Sequence, residues 1–452
     1  MSNTIAAIST PSAAGGISVI RISGDSAISV ADALFVPFGK TRAADMQGHT
    51  CAYGRIVAHG ETLDDVLLTV FRAPKSYTGE DTVEISCHGG LYVTRRILRE
   101  VIAMGAEPAS AGEFTKRAFL NGKLSLTQAE AVADIISAEG ESALQSANMM
   151  REGALFRAVK GVADKLVNLL GSLAAWTDYP DEDIPETDPA AIETSLQDCA
   201  ARLEAILKDY DSGRILREGI DSVIVGRPNV GKSTLMNALL GYERSIVTST
   251  AGTTRDVVEE SVRLGDVILR LSDTAGLRDA SDEVEKIGVR LAQKALERAQ
   301  LIFAVLDGSE PLTDEDIEIL EKIKNRRHII IINKSDLPQK IDSTYISGDI
   351  ILNVSAKSSL GIENIREAVY DIFKLSGYAE NPAVFANERQ KLCCDRALGH
   401  INEAATALCS GETLDAVTIC IDAAANALLE LTGERATEAV VDDVFSRFCV
   451  GK

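Results

Sequence analysis

The sequence predicts a multidomain α/β and α protein: an N-terminal α+β domain, then a discontinuous helical domain with an α/β domain of mostly parallel sheet inserted into it. Three observations carry this. A glycine-rich loop at 226–233 stands between a strand-like and a helix-like run. From 219 to 375, strand-like runs alternate with helical stretches, the pattern of a parallel sheet with helices on both faces. On either side lie breaker-poor segments rich in alanine and leucine. A length of 452 residues agrees with about three domains, divided as 1–121, 122–218, 219–375 and 376–452.

In the first 121 residues, the glycine pairs Gly15-Gly16 and Gly89-Gly90 separate β-like runs at 17–22, 66–71 and 82–86. The first helical flank covers 126–173. The second repeats Leu414, Val417, Ile421, Ala424, Leu428 and Leu431 at three- and four-residue steps, a stripe that needs a partner surface. Each flank is the obvious partner of the other, and an inserted domain tolerates this because its termini lie close together.

The inserted domain begins with a strand-like run at 223–225 and the loop Gly226-Arg227-Pro228-Asn229-Val230-Gly231-Lys232-Ser233, which leads through Thr234 into a helix-like run. In this context glycines let main-chain N–H groups close around phosphate oxygens, Lys232 reaches the terminal phosphates and the Ser233 hydroxyl holds Mg²⁺. Further strand-like runs follow at 267–271, 301–306, 329–332 and 351–354. After the fourth comes Asn333-Lys334-Ser335-Asp336. A carboxylate at Asp336 can accept two hydrogen bonds from the N1–H and 2-amino edge of guanine. Adenine offers no such pair and would leave the carboxylate unpaired. Asn333 would brace the loop and the Lys334 stem would lie along the base. Ser355-Ala356-Lys357, after the last run, would close over the guanine oxygen. Together the two motifs specify GTP and exclude a P-loop kinase.

Between them, Asp273-Thr274-Ala275-Gly276 follows a strand-like run; there a carboxylate can reach Mg²⁺ through water and the Gly276 N–H can sense the γ-phosphate. Thr253 and Thr254 stand where a threonine completes the Mg²⁺ shell and orders a switch loop. The residue after Gly276 is Leu277, which cannot orient an attacking water as a glutamine does.

The stretch 226–233, the loop Thr248-Ser249-Thr250-Ala251-Gly252-Thr253-Thr254, the segment 273–285 and the final Cys449-Val450-Gly451-Lys452 resemble the tRNA-modification GTPase family called MnmE or TrmE, over essentially the full length. The resemblance implies a K⁺ ion in place of an arginine finger, with Asn229, Thr248, Thr250 and Thr253 as its ligands. It also implies Glu285, with Arg278 nearby, as the water-positioning group. A cation at the phosphates neutralises developing charge, and Glu285 offers what Leu277 lacks. The N-terminal domain is similar to the tetrahydrofolate-binding domain of aminomethyltransferases and would drive homodimerisation. Its matching folate contacts are Arg21, Glu84, Lys123 and Lys452, for 5-formyl- or 5,10-methylene-tetrahydrofolate. Pterin shares guanine's 2-amino-4-oxo edge, so Glu84 could read it as Asp336 reads guanine, while Arg21 and Lys123 suit anionic groups. Cys449 would lie near the one-carbon unit, as a packed side chain or as a nucleophile. His88 reads as structural.

Composition bounds the rest. The net charge of −21 and pI near 4.8 exclude a general nucleic-acid binder, so RNA contact would be local or supplied by a partner. The acidity is uneven: 1–121 is nearly balanced, whereas 122–218 holds about twice as many acids as bases. No apolar run reaches the ~18 residues that span a membrane, and no basic segment precedes the first apolar residues, so neither a membrane span nor a signal peptide is expected. The eight cysteines lack paired metal spacing; Cys51, Cys87, Cys199, Cys409 and Cys420 read as reduced core residues of a cytoplasmic protein. The resemblance adds an FAD- and NADH-using partner of the MnmG/GidA type, in a heterotetramer, and tRNA modified at C5 of the wobble uridine with a folate-derived one-carbon unit. The alternative is a ribosome- or RNP-assembly GTPase, which would carry a Lys- and Arg-rich RNA-binding module that is absent here.

Overall fold

The computed structural model describes residues 3–138, 140–178, 188–208, 210–242, 259–272, 296–342, 346, 350–373, 375 and 387–452. Contacts between Cα atoms divide the chain into two units. One comprises Met1–Ala133, Met150–Glu204 and Glu388–Lys452; the other comprises Asp134–Met149 and Ala205–Asn387.

The first unit contains a seven-stranded sheet ordered β3-β4-β5-β6-β2-β1-β7. Its strands are β1 (Ile5–Ile8), β2 (Ile17–Ser23), β3 (Phe35–Pro37), β4 (Thr50–Ala58), β5 (Glu61–Phe71), β6 (Thr82–His88) and β7 (Glu107–Pro108). All neighbours are antiparallel except β1 and β7. The period-2 alternation of strands sorts their side chains. Ile20, Ile22, Val83, Ile85, Val66 and Leu68 enter the core with Ile97 and Val101 of the helix Leu91–Ala103. Arg21, Glu84 and Leu67 take the opposite face. The two glycine turns of the sequence meet, Gly15 N–H donating to Gly89 O at 3.0 Å and Gly89 N–H to Gly16 O at 3.3 Å. Sequence reasoning missed β1, β3, β4 and β7: β1 is a four-residue run half made of alanine, β4 is interrupted by Gly54, and β3 and β7 are only three and two residues long.

In the same unit, the helix Leu414–Thr432 packs against Glu388–Cys409 and Ala154–Asp178, burying Val417, Ile421, Ala424, Leu428 and Leu431. The first flank is three helices, Leu126–Ser137, Glu141–Arg151 and Ala154–Asp178, broken near the Gly140 and Gly153 positions; the middle one falls almost wholly in the second unit. Arg389 donates to both Glu130 oxygens, at 2.9 and 2.8 Å, joined by Gln390 at 2.5 Å. This bidentate pair ties the two flanks together across 259 residues of sequence.

The second unit holds a six-stranded sheet ordered β13-β12-β11-β8-β10-β9. Its strands are β8 (Ile220–Val225), β9 (Glu259–Leu264), β10 (Val267–Ser272), β11 (Leu301–Asp307), β12 (His328–Asn333) and β13 (Ile351–Asn353). All pairs are parallel except β9 with β10. The central strands β8, β11 and β12 are buried on both faces, which explains their Val/Ile/Leu-rich runs. Sequence reasoning missed β9, whose Val262 and Leu264 alternate before the Gly265-Asp266 turn.

The cysteine expectation is corrected in part. Cys87 and Cys199 are buried, but Cys51 and Cys409 are exposed and Cys420 is half-buried. Cys51 alternates onto the open sheet face and Cys409 ends its helix. No disulfide joins any of the eight. No helix among the described residues is long and apolar enough to cross a membrane.

Candidate functional site

The loop after β8 forms a cradle. Gly226, Asn229 and Gly231 have φ of +152°, +65° and +100°, the region that favours glycine and tolerates asparagine. At Gly231 a Cβ would stand 2.2 Å from Asn333 Nδ2, and at Gly226 one would stand 2.4 Å from Val305 O. No side chain fits at either position, and this keeps the backbone amides open to a ligand. Lys232 begins the helix Lys232–Tyr242, and its Nζ donates to the Gly226 and Arg227 carbonyls at 2.8 Å each. Ser233 and Thr234 follow it on the first turn, where a helix N-terminus favours anions. Val230 is buried and anchors the loop from below.

The base loop is locked to this cradle. Asn333, only 3% exposed, donates from Nδ2 to Val230 O at 2.8 Å and accepts at Oδ1 from the Ala356 N–H at 3.0 Å. One amide thus braces the phosphate loop, its own loop and the Ser355–Lys357 loop. Lys334 (φ +62°) sends its ammonium to Asp307 Oδ2 at 2.5 Å. Burial opposes the charge on Asp307, yet Lys334 and the Ser309 hydroxyl and N–H hold its carboxyl below the usual range. Sequence reasoning missed Asp307, although it ends a strand just as Asn333 does. Asp336 accepts from the Ser355 hydroxyl at 2.7 Å. That bond first, then main-chain donation and the charges of Lys357 and Lys334, keeps Asp336 ionised below the usual carboxylate range. Thr248, Ser249, Thr250, Ala251, Gly252, Thr253, Thr254, Asp273, Thr274, Ala275, Gly276, Arg278 and Glu285 lie outside the described residues. The described part of the site fits a Mg²⁺-nucleotide through its cradle, Lys232 and the Ser233 hydroxyl.

A second constellation stands in the first unit. Arg21 and Glu84 are register partners on β2 and β6, joined from Arg21 Nε to Glu84 Oε1 at 2.9 Å. The guanidinium lies 5.5 Å from the Tyr77 and Phe114 ring centroids and donates from Nη1 to Gly451 O at 3.4 Å. The tail is held at several points. Ser9 Oγ also donates to Gly451 O at 2.9 Å, Gly112 N–H donates to Cys449 O at 3.4 Å and Phe114 N–H to Lys452 O at 3.2 Å. Ala111 and Val450 form a β-bridge. Gly451 has φ +96°, and a Cβ there would meet Ile8 O at 2.3 Å. Tyr77 bonds Thr115 Oγ1 at 2.9 Å, and burial raises its phenol pKa. The structure therefore brings Arg21, Glu84 and the tail together. Cys449 is exposed and Lys452 half-buried. Lys123 donates to Pro74 O at 3.0 Å, on the loop that carries Tyr77. His88 is exposed, its ring Nδ1 and its N–H both 2.7 Å from Asp64 oxygens; as expected, the pair fixes a strand end.

The fold and the base-reading loop define a P-loop GTPase domain inserted into a larger chain. Residues 126–449 match the family described as MnmE helical domain, and residues 4–123 match the GTP-binding protein TrmE N-terminus. The chain is 40% identical to the tRNA modification GTPase MnmE of Thermoanaerobacter pseudethanolicus, over 100% of this chain and 99% of that protein. It is 41% identical to the protein of the same name from Lactococcus lactis, over 100% and 98%. Among solved structures, a complex of Era with MgGDPNP and a 16S ribosomal RNA fragment is 29% identical over 34% of this chain and 55% of that one, with a TM-score of 0.24. The chain belongs to the tRNA modification GTPase MnmE family, and is a GTP hydrolase acting in tRNA modification.

Proposed function

We propose that this protein is a K⁺-stimulated GTP hydrolase that, with an FAD- and NADH-dependent partner of the MnmG type, modifies C5 of the wobble uridine of certain tRNAs, drawing a one-carbon unit from tetrahydrofolate. The observation that carries the reading is the closure of the Arg21–Glu84 pair by Gly451, because it joins residues that GTP hydrolysis alone does not require. In this reading Glu84 accepts from the 2-amino edge of a pterin, Arg21 supplies positive charge, and Tyr77 and Phe114 wall the site. The folate when bound would supply the one-carbon unit. Lys452 and Lys123 would meet its anionic groups, and the exposed Cys449 would lie near the one-carbon unit. In the G domain, Asp336 reads guanine, Ser233 and Thr254 hold Mg²⁺, and Asn229 with Thr248, Thr250 and Thr253 holds K⁺. Arg278 and Glu285 serve the hydrolytic step, Glu285 by orienting water.

The open face of the N-terminal sheet supports a homodimer. Ile17, Val36, Phe38, Tyr53 and Leu67 are 46–69% exposed there, a row of apolar side chains that a second copy of the same sheet would cover. Nucleoside analysis of tRNA from cells that lack the protein tests the function. Loss of the C5 substituent at the wobble uridine is expected; an unchanged nucleoside profile would overturn the reading.

A further inference from the structure

Chain-wide acidity leaves open where this protein meets its tRNA. The helix Leu91–Ala103 breaks that acidity. Its inner side, Thr94, Ile97, Glu100 and Val101, is buried. Its outer side runs Tyr92, Arg95, Arg99 at steps of three and four, all three exposed, with Tyr92 78% exposed. The only carboxylate on the helix, Glu100, is already engaged by Arg96 Nε at 3.0 Å and His59 Nε2 at 3.1 Å. Arg95 and Arg99 have no hydrogen-bond or ion-pair partner among the described residues. They lie about 6 Å apart along the helix axis, within reach of neighbouring backbone phosphates, and Tyr92 follows on the same line toward the helix start. That start, Gly90, has no side-chain cap, so the positive end of the helix dipole adds to the two guanidiniums.

We propose that the outer face of this helix is a tRNA-binding surface, in which Arg95 and Arg99 contact backbone phosphates and Tyr92 stacks on an unpaired base. The inference rests on the tRNA-modification reading and adds the location of the RNA contact. An exposed aromatic beside unpaired guanidiniums is the arrangement by which proteins hold single-stranded loops, and counterion release makes such a contact strong even on an acidic protein. The surface lies on the helix side of the sheet, opposite the apolar face assigned to a second copy, so both can be used at once. An acidic protein partner would be a different occupant. Tyr92, 78% exposed with its hydroxyl bonded to Arg96 of the same helix, favours RNA, because stacking on a base uses an open ring face.

The test measures binding of the full chain to an in-vitro tRNA transcript by fluorescence anisotropy over a range of KCl concentrations. Arg95→Glu with Arg99→Glu should weaken binding at least tenfold at low salt and flatten the plot of log affinity against log salt by about 1.5 to 2. Arg95→Lys with Arg99→Lys should restore the slope, since phosphate contact needs only charge. Tyr92→Ala should weaken binding about tenfold with an unchanged slope. GTP hydrolysis should stay at the wild-type rate in all of them, and an unchanged denaturant-unfolding midpoint of the first unit reports its intact fold. Wild-type affinity and slope in the charge-reversed variant would overturn the proposal, as would an absence of tRNA binding by the wild-type chain. A variant that keeps tRNA binding but no longer associates with the flavin partner would reassign the surface to that protein. The underlying reading fails separately, if cells without the protein keep their wobble-uridine modification.

Discussion

The base loop of the G domain and the tail-closed site of the N-terminal sheet each hold one carboxylate, Asp336 and Glu84, but they are assembled in opposite ways. Asp336 stands within a few residues of Asn333 and Lys334 and is braced by Ser355, 19 residues on. Glu84 is braced by Arg21 from another strand, and Arg21 in turn by Gly451, 430 residues away. A local motif carries its own geometry. A site built from distant segments depends on the folding of the helical domain, because only that domain returns the tail to the sheet. Damage should therefore spread differently from the two. Lesions in the G domain should change nucleotide chemistry alone, and lesions in the helical packing should reach the sheet site.

The largest effect that could break this contrast is at Asp336. Asp336→Asn should weaken GTP binding by a hundredfold or more, since a charge-assisted bidentate contact is replaced by a mismatched amide. The variant should prefer xanthine nucleotides, whose 2-oxo group meets the new donor. Competition of GDP and XDP against a fluorescent nucleotide checks it, and an unchanged preference would remove the guanine assignment.

Next in size is the helical brace. Glu130 is 7% exposed and its partner Arg389 is largely enclosed. Glu130→Ala leaves a buried guanidinium unpaired and should destabilise the first unit by about 3–5 kcal/mol. Denaturant unfolding monitored on the full chain should show an early transition, while nucleotide affinity in the second unit persists. Loss of both together would contradict the separation of the two sites.

A smaller but sharper effect concerns the cation. GTP turnover should be about tenfold faster in KCl than in NaCl at equal ionic strength, because Leu277 supplies no polar group and a fixed charge at the phosphates must come from elsewhere. Equal rates would remove K⁺ from the account. Smaller still is a pH effect. The Ser355 hydroxyl depresses the Asp336 pKa, so its charge persists above that lowered value and is lost only as pH falls through it. GDP affinity should stay flat from neutral pH into the range where free carboxylates protonate. Ser355→Ala should move the fall-off to higher pH, and nucleotide titrations at stepped pH would read the shift.

Legibility followed the same contrast. The cradle, Asn333–Asp336 and Ser355–Lys357 were readable because each is a short run at the end of a hydrophobic strand, and the parallel sheet because its central strands are apolar on both faces. The strand Glu259–Leu264 was not, since a half-polar edge strand gives a weak signal. Asp307 was missed although it ends β11 as Asn333 ends β12, because a lone buried carboxylate has no spacing to reveal it. In the N-terminal domain, composition and turns gave only an α+β class. Arg21, Glu84 and the tail Cys449-Val450-Gly451-Lys452 came from family resemblance, and Tyr77 and Phe114 came from neither, because their meeting is decided by packing between segments far apart in sequence. The exposed Cys51 shows the same limit, since one strand holds both a buried and an open face.

The union of tail and sheet is tested most directly at Gly451, where positive φ and the 2.3 Å approach to Ile8 O forbid a side chain. Titration of 5-formyl-tetrahydrofolate into the wild-type chain and Gly451→Ala, followed by the KCl-stimulated GTP hydrolysis rate of each, separates the two sites in one pair of proteins. Folate affinity should fall tenfold or more in the variant while the hydrolysis rate stays within twofold. Equal folate affinity in the two proteins would show that the tail does not close the Arg21–Glu84 site.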